Sequence, residues 1–343
     1  MVSKIPAALK KFIAVESSGG IALVAACALA LFFANSPVKQ GYANFFTPLA
    51  PFISEGLMSI FFFLVGLEIK REFVDGELRN PKSAALPIIS AIGGMATPAL
   101  IFHFFTTGTA ANNGWAIAMP TDIALSIGAL ALLGSRVNPS LKIFLLTLAI
   151  ADDLGSILVL GTFYSGGISP LRIASTIGAV LLAWVVPSTH SLPTQRLIDL
   201  IHPWSSFLVI PLFALANIGI RIDFSSLGAQ MSSPVTLGIV IGRVVGKFVG
   251  ILLFAWLAIA FGIAKKPASL TFTEISGAGA LAGMGLTVSL FIAELAYTDP
   301  VYVAQVRLGL LLSALISAAF GLTILLSFYR RSRQKNMAKE TDQ

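Results

Sequence analysis

Charged residues are scarce in this sequence. They make up 11% of its 343 residues, and 56% of the residues are hydrophobic, whereas a soluble domain carries about 25% charged residues. With a mean hydropathy of +0.87, this composition excludes an ordinary soluble globular domain. Because a helix needs about 20 apolar residues to cross a bilayer, the chain has room for about ten crossings. The predicted fold class is an all-α polytopic membrane protein.

Cysteine and histidine are almost absent as well. A single cysteine, Cys27, excludes a disulfide within the chain. The histidines His103, His190 and His202 do not follow the spacing of a metal-ligand motif, so the sequence predicts no zinc-type site. It also contains no G-x-G-x-x-G, Walker A or G-x-S-x-G motif. The sequence therefore carries no nucleotide-binding or hydrolase signature, and we expect neither an enzymatic activity nor a cofactor.

The apolar runs predict ten spans within a single transmembrane transporter domain that covers residues 1–343. The predicted spans are 19–36, 54–71, 83–105, 115–134, 141–164, 171–187, 204–220, 235–262, 275–297 and 302–328, followed by a basic cytoplasmic tail at 329–343. With both termini in the cytoplasm, only Lys39, Arg172 and Arg221 fall in the outer loops, and the other loop cations are cytoplasmic. The net charge of +7 therefore marks one membrane face and does not indicate a nucleic-acid partner.

Four charged residues fall near the centres of spans, namely Asp122, Asp152, Asp153 and Lys247. Each costs roughly 2.5–3.5 kcal/mol at mid-membrane. A structural ion-pair cluster is one interpretation, but one lysine cannot neutralise three carboxylates. Since neighbouring helix residues point about 100° apart, Asp152 and Asp153 either face one cavity or divide between a cavity and a partner helix. We expect a coupled pair that holds protons or a small cation, with Lys247 as the counter-charge. An intramembrane aspartyl protease is an alternative that also uses buried aspartates. The adjacent pair Asp152 and Asp153 argues against it, because such a protease would take its two aspartates from different spans.

Two spans are interrupted, one in each half of the chain. Pro120 removes a backbone donor just before Thr121 and Asp122. The other interruption has four glycines, Gly277, Gly279, Gly283 and Gly285. Paired interruptions of this kind point to an ion site between two repeats, where Asp122 would offset the positive N-terminal helix ends and Lys247 the negative C-terminal ends. The alternative is ordinary close packing through small residues.

Several motifs resemble those of the NhaA family of sodium/proton antiporters, in order along nearly the whole chain. They are "FFFLVGLEIKRE", "PTDIALSIGALALLGSRV", "LAIADDLG", "IHPW", "PLFALANIGI" and "GKFVGI". The resemblance implies a bacterial inner-membrane protein with inverted repeats and two discontinuous helices. It also implies that sodium or lithium ions leave the cell in exchange for a larger number of protons.

The resemblance also assigns roles to residues. It implies that Asp153 binds the cation and carries a proton, and that Asp152 joins it and pairs with Lys247 when sodium is absent. Asp122 and Thr121 match residues where the broken helices cross. A further group matches other acidic or pH-sensing positions of the family, namely Glu68, Arg71 and Glu72 for pH sensing and Glu55 for an acidic residue of the second span.

The chain departs from that family in several places. A segment long enough for two helices is absent between "LGTFYSGG" and "STIGAVLLAWVVP". Arg243 is an added cation at i−4 from Lys247, and it would either pair with a carboxylate or weaken proton binding by Lys247.

A homodimer is possible, although the first outer loop is too short for the hairpin through which the family dimerises. The functional alternatives are a working antiporter, a shortened homologue that folds without transporting, and a cation channel.

Overall fold

The structure is a computed structural model that describes residues 7–164, 170–187, 193–221 and 223–341. Within those ranges it contains helices and no strand. The α-helices are α1 (Ala7–Ala34), α2 (Lys39–Pro51), α3 (Met58–Val74), α4 (Pro81–Thr106), α5 (Ile123–Ala131), α6 (Pro139–Phe163), α7 (Pro170–Val185), α8 (Pro193–Trp204), α9 (Ile210–Asn217), α10 (Phe224–Met231), α11 (Pro234–Ile241), α12 (Lys247–Ala260), α13 (Phe272–Leu281), α14 (Thr287–Ala296) and α15 (Pro300–Thr341). π-Helical turns at Phe52–Leu57, Ser205–Val209 and Gly242–Gly246 join α2 to α3, α8 to α9 and α11 to α12.

Seven helical rods in the described ranges are long and apolar enough to cross a membrane. They are Val15–Ala34, Lys39–Val74, Pro81–Thr106, Pro139–Phe163, Thr194–Asn217, Pro234–Ala260 and Pro300–Ser332. An eighth crossing is a 3₁₀ segment, Ala110–Ala118, bent by 45° against α5. The two other predicted spans correspond to the short helix α7 and to the separated helices α13 and α14. The all-α polytopic class and the two discontinuous helices are therefore confirmed.

Three details differ from the sequence prediction. The second rod begins at Lys39 instead of 54, because α2, the π-helical turn and α3 follow one another without a break. The tail predicted from 329 continues α15 as far as Thr341, because it is rich in helix-forming residues and has no glycine or proline; residues 342–343 lie outside the described ranges. Gly277 and Gly279 lie inside α13, where the small size of Gly277 admits Leu325 of α15, so only Gly283 and Gly285 belong to the interruption.

The order of long helix, broken helix and long helix occurs twice. The first unit is α4, the 3₁₀ segment with α5, and α6, and the second is the α11–α12 rod, α13 with α14, and α15. The two units meet where α4 packs along α12. Their backbones touch at Gly93 and Gly250, since a Cβ on either glycine would overlap the carbonyl oxygen of the other. This contact holds the first turn of α12 beside the interruptions.

The short helix α7 is fastened to α3. Lys70 on α3 donates a hydrogen bond to the carbonyl of Trp184 at 2.6 Å and another to the carbonyl of Val186. The ammonium group thereby satisfies carbonyls that the end of α7 leaves open. α7 follows the position at which the sequence analysis finds a segment missing. It packs mainly against α3 and belongs to neither broken helix.

Candidate ion-binding site

The two broken helices touch at their interruptions. The amide of Asp122 donates to the carbonyl of Met284 at 2.9 Å, and Thr121 Oγ1 lies 3.0 Å from the carbonyl oxygen of Ala282. Pro120 precedes this contact and has no amide hydrogen to continue the first half-helix. Both interruptions are buried in the protein, which is the setting in which irregular backbone is tolerated at membrane depth.

Asp122 lies where two helices begin. Its Oδ1 accepts the amide of Leu125 at 3.1 Å, and its Oδ2 accepts the hydroxyl of Thr287 at 3.1 Å. The amide of Thr287 lies 3.5 Å from the same Oδ2. α5 and α14 both start at this point, so one carboxylate offsets the positive N-terminal ends of both half-helices.

Arg243 lies at the C-terminal ends of the half-helices, at the point where the two broken helices touch, which we call the crossing. Its fully buried guanidinium donates to the carbonyls of Gly283 at 3.1 Å, Ile117 at 3.1 Å and Pro120 at 2.6 Å. A fourth hydrogen bond goes to Ser289 Oγ at 2.8 Å. These carbonyls end the two half-helices and carry the negative ends of their dipoles.

The hydrogen bonds of Arg243 differ from the carboxylate pairing that the sequence suggests. Among the described residues they go to three carbonyls and a hydroxyl, and none goes to a carboxylate. The other interpretation, that Arg243 weakens proton binding by Lys247, stays a prediction. Arg243 also performs the role that the sequence assigns to Lys247, that of offsetting the C-terminal ends.

Lys247 pairs with Asp152. Its Nζ lies 2.6 Å from Asp152 Oδ2 and 2.6 Å from Thr121 Oγ1. Thr121 Oγ1 is in turn 2.6 Å from the same carboxylate oxygen. The three side chains come from α12, α6 and the first interruption, and they form a closed triangle that is almost fully buried.

Asp153 faces a different way. It is 4% exposed, and in the described part of the chain its Oδ1 has no hydrogen-bond partner. It lines a cavity of about 30 Å³ together with Thr121, Asp122 and Thr287. Such a space suffices for a water molecule, which needs roughly 10–15 Å³, or for a small cation. The two aspartates thus divide between a partner helix and a cavity, one of the two arrangements that the sequence left open.

The residues assigned to pH sensing lie within two turns of α3. Glu72 Oε1 accepts the amide of Glu77 at 2.9 Å and lies 3.5 Å from Thr147 Oγ1. Glu68 lines the cavity of Asp153. Arg71, which lies between them in the sequence, is half-buried. Glu55 is half-buried in the first π-helical turn, roughly 20 Å along the rod from Glu68.

Glu16 and His202 are residues that the sequence reasoning missed. His202 Nε2 forms an ion pair with Glu16 Oε1 and lies 3.8 Å from Glu68 Oε1. The sequence places His202 in or near a loop, whereas it lies buried in α8. Both residues stand at the edges of apolar runs, where a polar residue is ordinary, so neither position signals a buried contact.

Comparison with known proteins gives consistent matches over most of the chain. The sequence matches the family described as Na+/H+ antiporter 1 over residues 10–175 and 172–325. A protein from Erythrobacter litoralis named Na(+)/H(+) antiporter NhaA 2 is 37% identical over 378 residues, which cover 93% of each chain. Proteins named Na(+)/H(+) antiporter NhaA from Shewanella sp. strain MR-7 and from Aeromonas salmonicida are 37% and 36% identical. These two alignments cover 92% and 91% of this chain, and 96% and 94% of the relatives.

The matches also locate the shorter region. The alignment of 378 positions is longer than the chain of 343 residues, so the relative has residues without a counterpart here. The two family matches meet at residues 172–175, next to the start of α7. This is the region in which the sequence predicts that two helices are missing.

Proposed function

The chain belongs to the NhaA family of Na+/H+ antiporters, and from that premise we propose that it exchanges sodium ions for protons. The observation that carries this proposal is the unpaired carboxylate oxygen of Asp153 in a small buried cavity. A hard cation prefers oxygen ligands, and Asp153, Asp152 and Thr121 supply such oxygens at the crossing. Lithium, which is a smaller monovalent cation, is the expected second substrate.

Transport follows from competition at these carboxylates. On the cytoplasmic side sodium displaces protons from Asp153 and its neighbour, and on the outer side protons displace sodium. For both aspartates to hold sodium, Asp152 must leave Lys247. An unpaired buried ammonium is costly, so Lys247 then releases its own proton. Together with the proton of Asp153, two protons leave the site for each sodium ion, which makes the exchange electrogenic.

The setting of the site supports alternating access. The chain is a multi-pass membrane protein, and we propose that it lies in a bacterial inner membrane with both termini in the cytoplasm, as the loop cations indicate. The candidate ion site is built from the interruptions, α6 and α12. One repeat rocking against the other would expose this site first to one side and then to the other.

The shorter central region motivates the second candidate, a homologue that folds without transporting. None of the residues described above as forming the crossing lies between residues 165 and 192. The ion site is therefore assembled without the missing helices, which favours a working antiporter.

The test is sodium-driven proton movement in everted membrane vesicles from a host without its own antiporters, followed with a pH-sensitive dye. Wild-type protein should give a signal with sodium and lithium but not with potassium, and Asp153→Asn should abolish it. Asp75→Asn, which alters an exposed carboxylate on the same chain, is the matched control and should keep the signal. Folded, inserted protein without a signal at any pH would favour the inactive homologue, and sodium flux without proton movement would favour a channel.

A further inference from the structure

A second cluster of buried ligand-type side chains lies outside the crossing. Glu16 of α1, Glu68 of α3 and His202 of α8 each offer one ligand atom, and these atoms all lie within 4.8 Å of one another. The three residues are 7%, 5% and 4% exposed. They come from three separate helices, so the fold, and not local sequence, brings them together.

The cluster has an unsatisfied ligand. His202 Nε2 is engaged with Glu16 Oε1, while Glu68 Oε1 lies 3.8 Å from the same nitrogen. That distance is too long for a hydrogen bond, and within the described residues Glu68 Oε1 has no hydrogen-bond partner. Leaving a buried carboxylate oxygen unpaired is unfavourable, so the cluster has capacity for one further positive group.

The donor set fits a particular class of ligand. Imidazole nitrogen and carboxylate oxygen are both donors in zinc sites that have three protein ligands and an open fourth position. Imidazole nitrogen suits zinc, cobalt, nickel and related ions better than sodium or calcium, which bind oxygen. A divalent ion would neutralise both carboxylates at once.

We propose that Glu16, Glu68 and His202 bind one divalent transition-metal ion of the zinc class. This site is distinct from the sodium site in its ligands and in the helices that supply them. Glu16 and Glu68 line the same small cavity as Asp153, so an ion held there occupies the space next to the transport carboxylate. This consequence rests on the proposed function: metal at the cluster inhibits sodium–proton exchange.

The first test measures metal binding on the purified full-length protein, independently of transport. Co²⁺ is the probe, because its visible absorption reports a site of low coordination number. One Co²⁺ per chain is expected, and Zn²⁺ should displace it. His202→Gln and Glu16→Gln should each abolish the absorption. His103→Gln, a histidine on α4 away from the cluster, is the matched control and should leave the absorption unchanged.

Asp153→Asn separates this proposal from the proposed function. The variant should bind Co²⁺ as the wild type does although it does not transport. Size-exclusion profiles and melting curves identify variants that fail to fold, and Glu68→Gln provides a third ligand variant if one of the others does. Absence of Co²⁺ binding by folded wild-type protein, or binding that survives loss of His202 and of Glu16, would overturn the site. Retained binding without Zn²⁺ inhibition of an active transporter would overturn only the inhibitory role.

Discussion

At the scale of single residues, the charged side chains at the crossing differ in how many partners hold them. Arg243 makes four hydrogen bonds to the ends of the broken helices, and Asp122 caps two helix starts. Lys247 holds Asp152 through one contact, and Asp153 Oδ1 is unpaired among the described residues. Arg243 already offsets the negative C-terminal ends of the half-helices. In the proposed mechanism, Lys247 can therefore leave Asp152 while those ends remain neutralised.

Replacing Arg243 should therefore damage the crossing more than the loss of a cation alone. In Arg243→Leu three buried carbonyls lose their donor, and each unsatisfied group costs roughly 1–3 kcal/mol. We expect a melting temperature lower by several degrees in detergent, measured by fluorescence-detected size exclusion after heating, and little folded protein at 37 °C.

The matched variants for this prediction are Arg243→Lys and Arg221→Leu. Lysine keeps the charge but cannot reproduce the planar fork of donors, so it should recover only part of the stability. Arg221 is exposed, and its replacement should leave the melting temperature unchanged. If Arg243→Leu melts like the wild type, the carbonyls have other donors and the division of charge described above is wrong.

At the scale of elements, close backbone contact joins the long helices α4 and α12 of the two units. α4 and α12 approach so closely at Gly93 and Gly250 that a methyl group at either position would overlap a carbonyl. Arg243, in the π-helical turn Gly242–Gly246, contacts the helix ends, and Lys247, at the start of α12, contacts Asp152.

Gly250→Ala should separate α4 from α12 and lower both stability and transport. Overpacking of a tight contact typically costs about 1–3 kcal/mol, so we expect a lower melting temperature in the heating assay. The control is Gly178→Ala on α7, where a Cβ meets nothing within 4 Å. Alanine there should be neutral or slightly stabilising, by up to about 1 kcal/mol, because glycine weakens a helix interior. Equal effects of the two changes would show that helix propensity, not the crossing, sets the outcome.

Elements and residues also differ in how far the sequence predicts them. Hydropathy locates the helical rods because apolar length is a local property, and Pro120 marks its interruption because a missing amide acts locally. The partners of Arg243 and His202 are not predictable in this way. His202 meets Glu16 across 186 positions of sequence, and Arg243 meets Ile117 across 126. Only the packing of the helices decides such pairs, so the sequence does not predict the carbonyls to which Arg243 donates.

At the scale of the whole molecule, competition between sodium and protons predicts a specific pH dependence. As the pH falls, the carboxylates at the crossing are increasingly protonated and unavailable to sodium. In the range where one proton competes, the apparent KM for sodium should rise by about tenfold for each unit decrease in pH, while the maximal rate at saturating sodium changes little. Dye dequenching in everted vesicles at a series of sodium concentrations and pH values measures both. A maximal rate that falls while KM stays constant would indicate regulation away from the binding site.

The most direct test of the account is calorimetry of sodium binding to the purified protein in buffers of different ionisation enthalpy. The dependence of the heat on the buffer gives the number of protons released, whether or not the shortened chain completes a transport cycle. The account predicts that sodium binding releases protons from the wild type and that Asp153→Asn neither binds sodium nor releases protons. Sodium binding without proton release, or binding that persists in Asp153→Asn, would contradict it.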